Sequence, residues 1–265
     1  VRLLSGLVIV CLIVTACSSG GDKVVDTAGR AVRRLKVEVV HRYPHDTSSF
    51  TEGLVMTDDG RLFESSGQYG SSDVRQVDLA SGRVIRRSPL EDRYFGEGLA
   101  ESVSGDLVQL TWREGTAFVW RTDDLSAAGR FSYSGEGWGL TRDGGELLQS
   151  DGSDRLTRRD PRTFTASGQV RVTEDGTPVD QLNELEAVGS VVYANVWKTT
   201  DIVAIDPSTG HVTATIDASS LVPDGLHDPD AVLNGIAHRP GSPPDRLLVT
   251  GKKWPVLYDV RLVPA

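Results

Sequence analysis

Phe50-Thr51-Glu52-Gly53-Leu54-Val55-Met56 runs into Asp58-Asp59-Gly60 and then into Leu62-Phe63-Glu64-Ser65-Ser66. An Asp-Gly pair between two apolar runs is a strong hairpin signal. Residues 72–77 and, past the Ala80-Ser81-Gly82 turn, 83–86 supply a third and a fourth strand. The opening signal of this unit returns four times, as Glu97-Gly98-Leu99, Trp138-Gly139-Leu140, Asn183-Glu184-Leu185 and Asn234-Gly235-Ile236, at spacings of 45, 41, 45 and 51 residues. Repeats of about 40–45 residues with four strands each are propeller blades. The chain is therefore expected to be all-β, a five-bladed β-propeller. Equivalent positions of a propeller lie at equal radius around the channel. Glu52, Glu97, Trp138, Asn183 and Asn234 should accordingly converge as a polar ring.

The fifth unit runs out of chain after 246–250 and 256–262, one strand short. The alternating segment at about 36–41 precedes the first unit and is the natural fourth strand. Closing the ring with it removes the exposed edges of an open sheet.

The chain has 265 residues, a net charge of −9 and 28 glycines. The acidic balance argues against a nucleic-acid surface. Abundant glycine without long helical periodicity agrees with strands and tight turns.

Residues 3–16 are apolar after Arg2 and end in Val14-Thr15-Ala16-Cys17. The run has signal-peptide length and is short for a membrane span. Its end resembles a bacterial lipobox, cut before Cys17, whose thiol then carries lipid. The expected organisation is a signal peptide over 1–16, a flexible tether over 17–34 and a propeller over 35–265. This places the protein outside the cytoplasm, held at a bacterial cell membrane by its lipid anchor alone. The second cysteine, Cys11, would leave with the signal, so no thiol chemistry is expected in the domain.

Distinctive side chains also end the second strand of each unit: Ser65 and Ser66 with Gln68 and Tyr69, Trp112, Ser150 and Asp151, Asn195 and Trp197, Lys252 and Trp254. Aromatic walls with a few placed polar groups describe a small-ligand pocket. Packing at the wide end of the propeller is the competing reading of the same tryptophans.

These motifs, with Phe95-Gly96-Glu97-Gly98, Gly135-Glu136-Gly137-Trp138, Leu182-Asn183-Glu184 and Thr250-Gly251-Lys252-Lys253-Trp254-Pro255, resemble the plant and bacterial type of glutaminyl cyclase, the glutamine cyclotransferases. The likeness covers nearly everything after residue 45. It implies a five-bladed propeller that closes the N-terminal glutamine of peptides or proteins to pyroglutamate and releases ammonia. A monomer without a cofactor is expected. The likeness places Glu97 on the essential acid, with Lys252 and Asn183 as further catalytic positions. Trp112, Trp138 and Trp197 fall on the pocket tryptophans. Glu52 lies where plant members tend to carry Gln and bacterial ones Glu, and it joins Gln68 on the substrate-binding side.

The five histidines show no zinc-ligand spacing and are expected on exposed loops, so no metal site is expected. The rival reading is a propeller lipoprotein that binds a ligand or partner without catalysis. Glu97 among three tryptophans and Lys252 separates the two, because a binding module has no need of that acid.

Overall fold

The computed structural model describes Val1 and residues 31–265. The expected signal peptide, Cys17 and most of the expected tether lie outside these residues. The first strand, β1 (Arg33–Pro44), runs about three residues beyond each end of the segment expected at about 36–41.

Four units then follow in chain order. Blade one is β2 (Thr51–Met56), β3 (Leu62–Ser66), β4 (Asp73–Val77) and β5 (Val84–Pro89). Blade two is β6 (Gly96–Glu101), β7 (Leu107–Thr111), β8 (Thr116–Trp120) and β9 (Ala127–Ser132). Blade three is β10 (Leu140–Asp143), β11 (Glu146–Gln149), β12 (Arg155–Arg159) and β13 (Ala166–Arg171). A short hairpin, β14 (Thr173–Glu174) with β15 (Thr177–Pro178), turns at Asp175-Gly176 and precedes blade four. Blade four is β16 (Leu182–Val188), β17 (Val191–Val196), β18 (Asp201–Ile205) and β19 (Val212–Asp217).

Blade five is β20 (Leu233–Ala237), β21 (Arg246–Gly251) and β22 (Val256–Pro264), with β1 as its fourth strand. β1 runs antiparallel to β22, from Leu35 opposite Pro264 to Pro44 opposite Val256. Its first residues, Arg33 to Lys36, also pair in parallel with Ala214 to Asp217 of β19. One strand thus completes blade five and ties it to blade four.

Burial falls from the channel outward. β2 is buried at every residue, whereas β5 and β9 are mostly exposed. That gradient is why inner strands carry Gly, Leu and Ala and outer strands carry residues such as Arg86 and Arg87. The core consists of five apolar clusters, one in each gap between blades. Phe63 and Val74 meet Leu99 and Leu107 between blades one and two. Leu110 and Ala117 meet Leu140 and Phe164 between two and three. Leu148 and Leu156 meet Leu185 and Val203 between three and four. Ile202 and Ile216 meet Ile236 and Val249 between four and five. Leu248 and Leu257 meet Leu54 and Met56 where five returns to one. With every gap filled, the ring is closed.

Candidate active site

Each inner strand enters the blade through an irregularity. The ladder to the second strand slips between Thr51 and Gly53, Gly96 and Leu99, Leu182 and Leu185, and Leu233 and Ile236. In blade three the regular strand starts only at Leu140, and Ser150 alone bonds both the Trp138 N–H and the Gly139 carbonyl. A bulge places two residues against one and re-aims a side chain. Here it turns Glu52, Glu97, Trp138 and Asn183 into one cavity of about 240 Å³. Asn234 lies just below and donates to Glu52 Oε2 at 3.2 Å and to the Thr51 carbonyl at 2.9 Å. The second strands deliver the other half of the wall. The N–H groups of Trp112, Trp197 and Lys252 bond the carbonyls of Phe95, Gln181 and Val232, each two residues before a bulge residue. All eight residues proposed from sequence line this cavity: Glu52, Gln68, Glu97, Trp112, Trp138, Asn183, Trp197 and Lys252.

The residue after each bulge position faces the next blade. Backbone there comes so close that a Cβ on Gly98 would lie 2.5 Å from Leu140 N, and one on Gly139 2.0 Å from the Asn183 carbonyl oxygen. Only glycine permits that approach. Blade four carries Glu184 instead, fully buried. Its carboxylate accepts the N–H groups of Leu54 at 3.1 Å and Ile236 at 2.8 Å, spanning blades one and five across the channel. Burial pushes its carboxyl well above the usual range, and the two N–H groups work against that rise.

Lys252 Nζ lies 2.7 Å from Glu52 Oε1 and 4.6 Å from the centre of the Phe50 ring. Burial raises the Glu52 carboxyl, and the Lys252 ammonium offsets part of the rise. Glu97 is lifted well above the ordinary carboxylate range, first by burial and then by the neighbouring Glu52 charge. Two carboxyls whose surroundings separate them in this way divide into an anion and an acid. Of the two, the Lys252 ammonium favours the anion at Glu52, while burial and the Glu52 charge favour the acid form at Glu97.

The aromatic wall is built edge to face. Trp138 meets Trp197 at 5.5 Å and 81°, and Trp112 meets Phe95 at 5.7 Å and 61°. Both Trp112 Nε1 and Trp138 Nε1 donate to Glu136 Oε2, at 2.8 and 3.0 Å. Glu136 Oε1 accepts from Arg113 Nε at 2.9 Å, and the Arg113 guanidinium lies 3.6 Å from the centre of the Trp112 ring. These partners hold the Glu136 carboxyl below its usual range despite a burial contribution that would raise it. Trp254 takes no part in the wall. It is fully buried and donates to the Ala231 carbonyl at 2.9 Å, as core.

Phe50, Phe95 and Asp230 also line the cavity without having been singled out from sequence. Phe50 and Phe95 were legible, since each stands two residues before an acid in Phe-x-Glu-Gly, on one face of a strand. Asp230 comes from the loop that stretches the last spacing to 51 residues. The expectation of exposed histidines fails at His45. Its ring is buried between the Trp254 carbonyl at 2.7 Å and Glu64 Oε1 at 3.1 Å. Glu64 also accepts Ser49 and Thr51 hydroxyls at 2.6 and 2.7 Å, which fixes the backbone leading to Glu52. Burial alone would raise the Glu64 carboxyl, but His45, then the Arg75 charge and the Ser49 hydroxyl, bring it down to about 2. Among the described residues no group of three or more His, Cys, Asp or Glu is placed to hold a metal ion.

Comparison with known proteins agrees with this geometry. Residues 8–262 match the model of the glutamine cyclotransferase family. The chain is 41% identical over 235 residues to a glutaminyl-peptide cyclotransferase of Arabidopsis thaliana, covering 87% of this chain and 72% of that protein. It resembles the crystal structure of Myxococcus xanthus glutaminyl cyclase with a TM-score of 0.82 and 42% identity, over 88% of this chain and 99% of that one. A five-bladed ring, a carboxyl pair beside a lysine and a match spanning almost the whole chain lead to one assignment: the chain belongs to the glutamine cyclotransferase family.

Proposed function

We propose that the chain is a glutaminyl-peptide cyclotransferase that converts N-terminal glutamine of peptides and proteins to pyroglutamate with release of ammonia. The observation that carries the reading is the buried Glu97 carboxyl, pushed toward its acid form by burial and by Glu52, beside the Glu52–Lys252 pair inside a tryptophan-walled cavity. The substrate's neutral α-amine attacks its own side-chain carbonyl. The reaction is intramolecular, so holding the amine against that carbonyl supplies much of the acceleration. The ring faces of Trp112, Trp138 and Trp197 grip the two methylenes and exclude water, which would otherwise give simple deamidation. Glu97, hydrogen-bonded to its neighbouring carboxylate, passes a proton to the departing nitrogen and recovers one from the attacking amine. Since the Trp112 and Trp138 N–H groups are committed to Glu136, the developing oxyanion falls to the Asn183 amide and the Trp197 N–H. A purely binding propeller would gain nothing from burying a proton-bearing carboxyl here.

The reading extends to location and partners. Cys17 carries lipid, the propeller works outside the cytoplasm at a membrane surface, and the enzyme acts as a monomer. Mass spectrometry of a glutamine-initiated dipeptide incubated with the purified protein tests the activity. Loss of one ammonia from the peptide is expected. Ammonia release that leaves N-terminal glutamate, or an unchanged peptide, would refute it.

A further inference from the structure

We propose that Glu136 is a positioning residue of this pocket, clamping the Trp112 and Trp138 indoles by their N–H groups so that the two rings stand at a fixed separation around the substrate side chain. The inference rests on the reading of the cavity as the cyclisation site. Trp112 comes from the end of a second strand in blade two, and Trp138 from the bulge that opens blade three. Each ring has its own packing: Trp112 against Phe95 and beneath Arg113, Trp138 against Trp197. A Cβ on Gly152 would lie 2.7 Å from the Trp138 ring, so backbone closes that side as well. Glu136 Oε2 is the one atom to which both indoles bond.

The residue type suits the task. An ionised carboxylate only accepts, and here it meets two indole N–H groups and a guanidinium. Hydrogen bonds to an ionised acceptor are roughly twice as strong as neutral ones. Glu136 is itself anchored, because Gln149 Nε2 donates to its backbone carbonyl at 3.0 Å. The repeat shows what was exchanged. Two residues before the bulge residue, blades one and two carry Phe50 and Phe95, which pack into the wall; blade three carries Glu136. An aromatic face has been replaced by an acceptor that fixes two aromatic faces.

The rings contact the substrate's methylenes in ground state and transition state alike, so their loosening weakens binding more than the chemical step. With Glu136→Ala, KM for a glutamine dipeptide should rise about tenfold, the effect of roughly one charge-assisted hydrogen bond. kcat and the melting temperature should change little. Glu136→Gln keeps one acceptor oxygen and should restore part of the loss. Indole ¹H–¹⁵N spectra supply a readout that needs no turnover. Of the five tryptophans, two indole N–H resonances should move to less hydrogen-bonded positions in Glu136→Ala. A KM within about twofold of wild type, or unmoved indole resonances, would overturn the clamp. A wild-type protein that cyclises no glutamine peptide would instead overturn the catalytic reading, while the spectra still decide the clamp.

Discussion

Glu97 has two neighbours that act on its proton in opposite directions. The Glu52 charge helps to retain it and the Lys252 ammonium favours its loss, with burial the largest influence of all. Glu97→Gln keeps size and hydrogen bonding but cannot exchange a proton, so turnover should fall about 10²–10⁴-fold with folding intact. A variant with near wild-type turnover would remove Glu97 from the chemistry. The pH profile should be bell-shaped. Its acid limb follows the substrate's α-amine, which becomes neutral around pH 7.7–8.0. Its alkaline limb follows loss of the Glu97 proton, at a pH raised by burial and by Glu52. Glu52→Gln removes a negative charge and frees the Lys252 cation, so the alkaline limb should move to lower pH. Movement to higher pH would contradict the pairing. Glu97 stood out in the sequence because Gly-Glu-Gly opens a repeat. Glu136 did not, although it too lies in a Gly-Glu-Gly, because it stands two residues ahead of the repeat position and its partners come from two blades that no local pattern records.

At the scale of strands, the bulge converts a repeat into a site, and Glu184 closes the gap that the fourth copy leaves. Replacing Glu184 by Ala strands the buried N–H groups of Leu54 and Ile236, at about 1–3 kcal/mol each. Denaturant unfolding should show a loss of several kcal/mol. Glu184→Gln should lose roughly half as much, since Leu54 and Ile236 bond different oxygens of Glu184 and the amide NH2 replaces one of them. Equal stability of both variants with wild type would mean that the channel admits water to those amides. The β1 strand makes a second prediction. A chain beginning at residue 45 lacks the whole ladder to β22 and the parallel tie to β19, and should melt far below one beginning at residue 33. Similar melting of the two would refute closure by β1. Strands and turns were legible because Asp-Gly and Ser-Gly pairs punctuate alternating runs. The bulges were not: an added residue before a regular strand leaves the later alternation unchanged. The β14–β15 hairpin escaped notice although its Asp175-Gly176 turn is the same signal, because its strands are only two residues long.

For the whole molecule, direction is what matters. The cavity lies at the ends of strands marked by Glu52, Gln68, Gly251 and Val256. β1 begins at the other end, where Leu35 pairs with Pro264, and the carboxyl-terminal residue bonds back to Arg34. The chain therefore enters the propeller on the face opposite the cavity. A lipid on Cys17 would draw that opposite face toward the membrane and leave the mouth open to soluble peptides. Cys17→Ser should abolish palmitate labelling and shift the protein into the soluble fraction. Stable attachment takes two acyl chains or an equivalent second signal, so a singly acylated form should partition between the two fractions. kcat/KM for a glutamine dipeptide should be the same in the anchored and released forms, since β1 enters the ring at the end opposite the mouth. Equal labelling of wild type and variant would remove the lipid anchor. A released form markedly faster than the anchored one would show instead that the membrane obstructs the mouth, and that the tether does not hold the propeller by its far face.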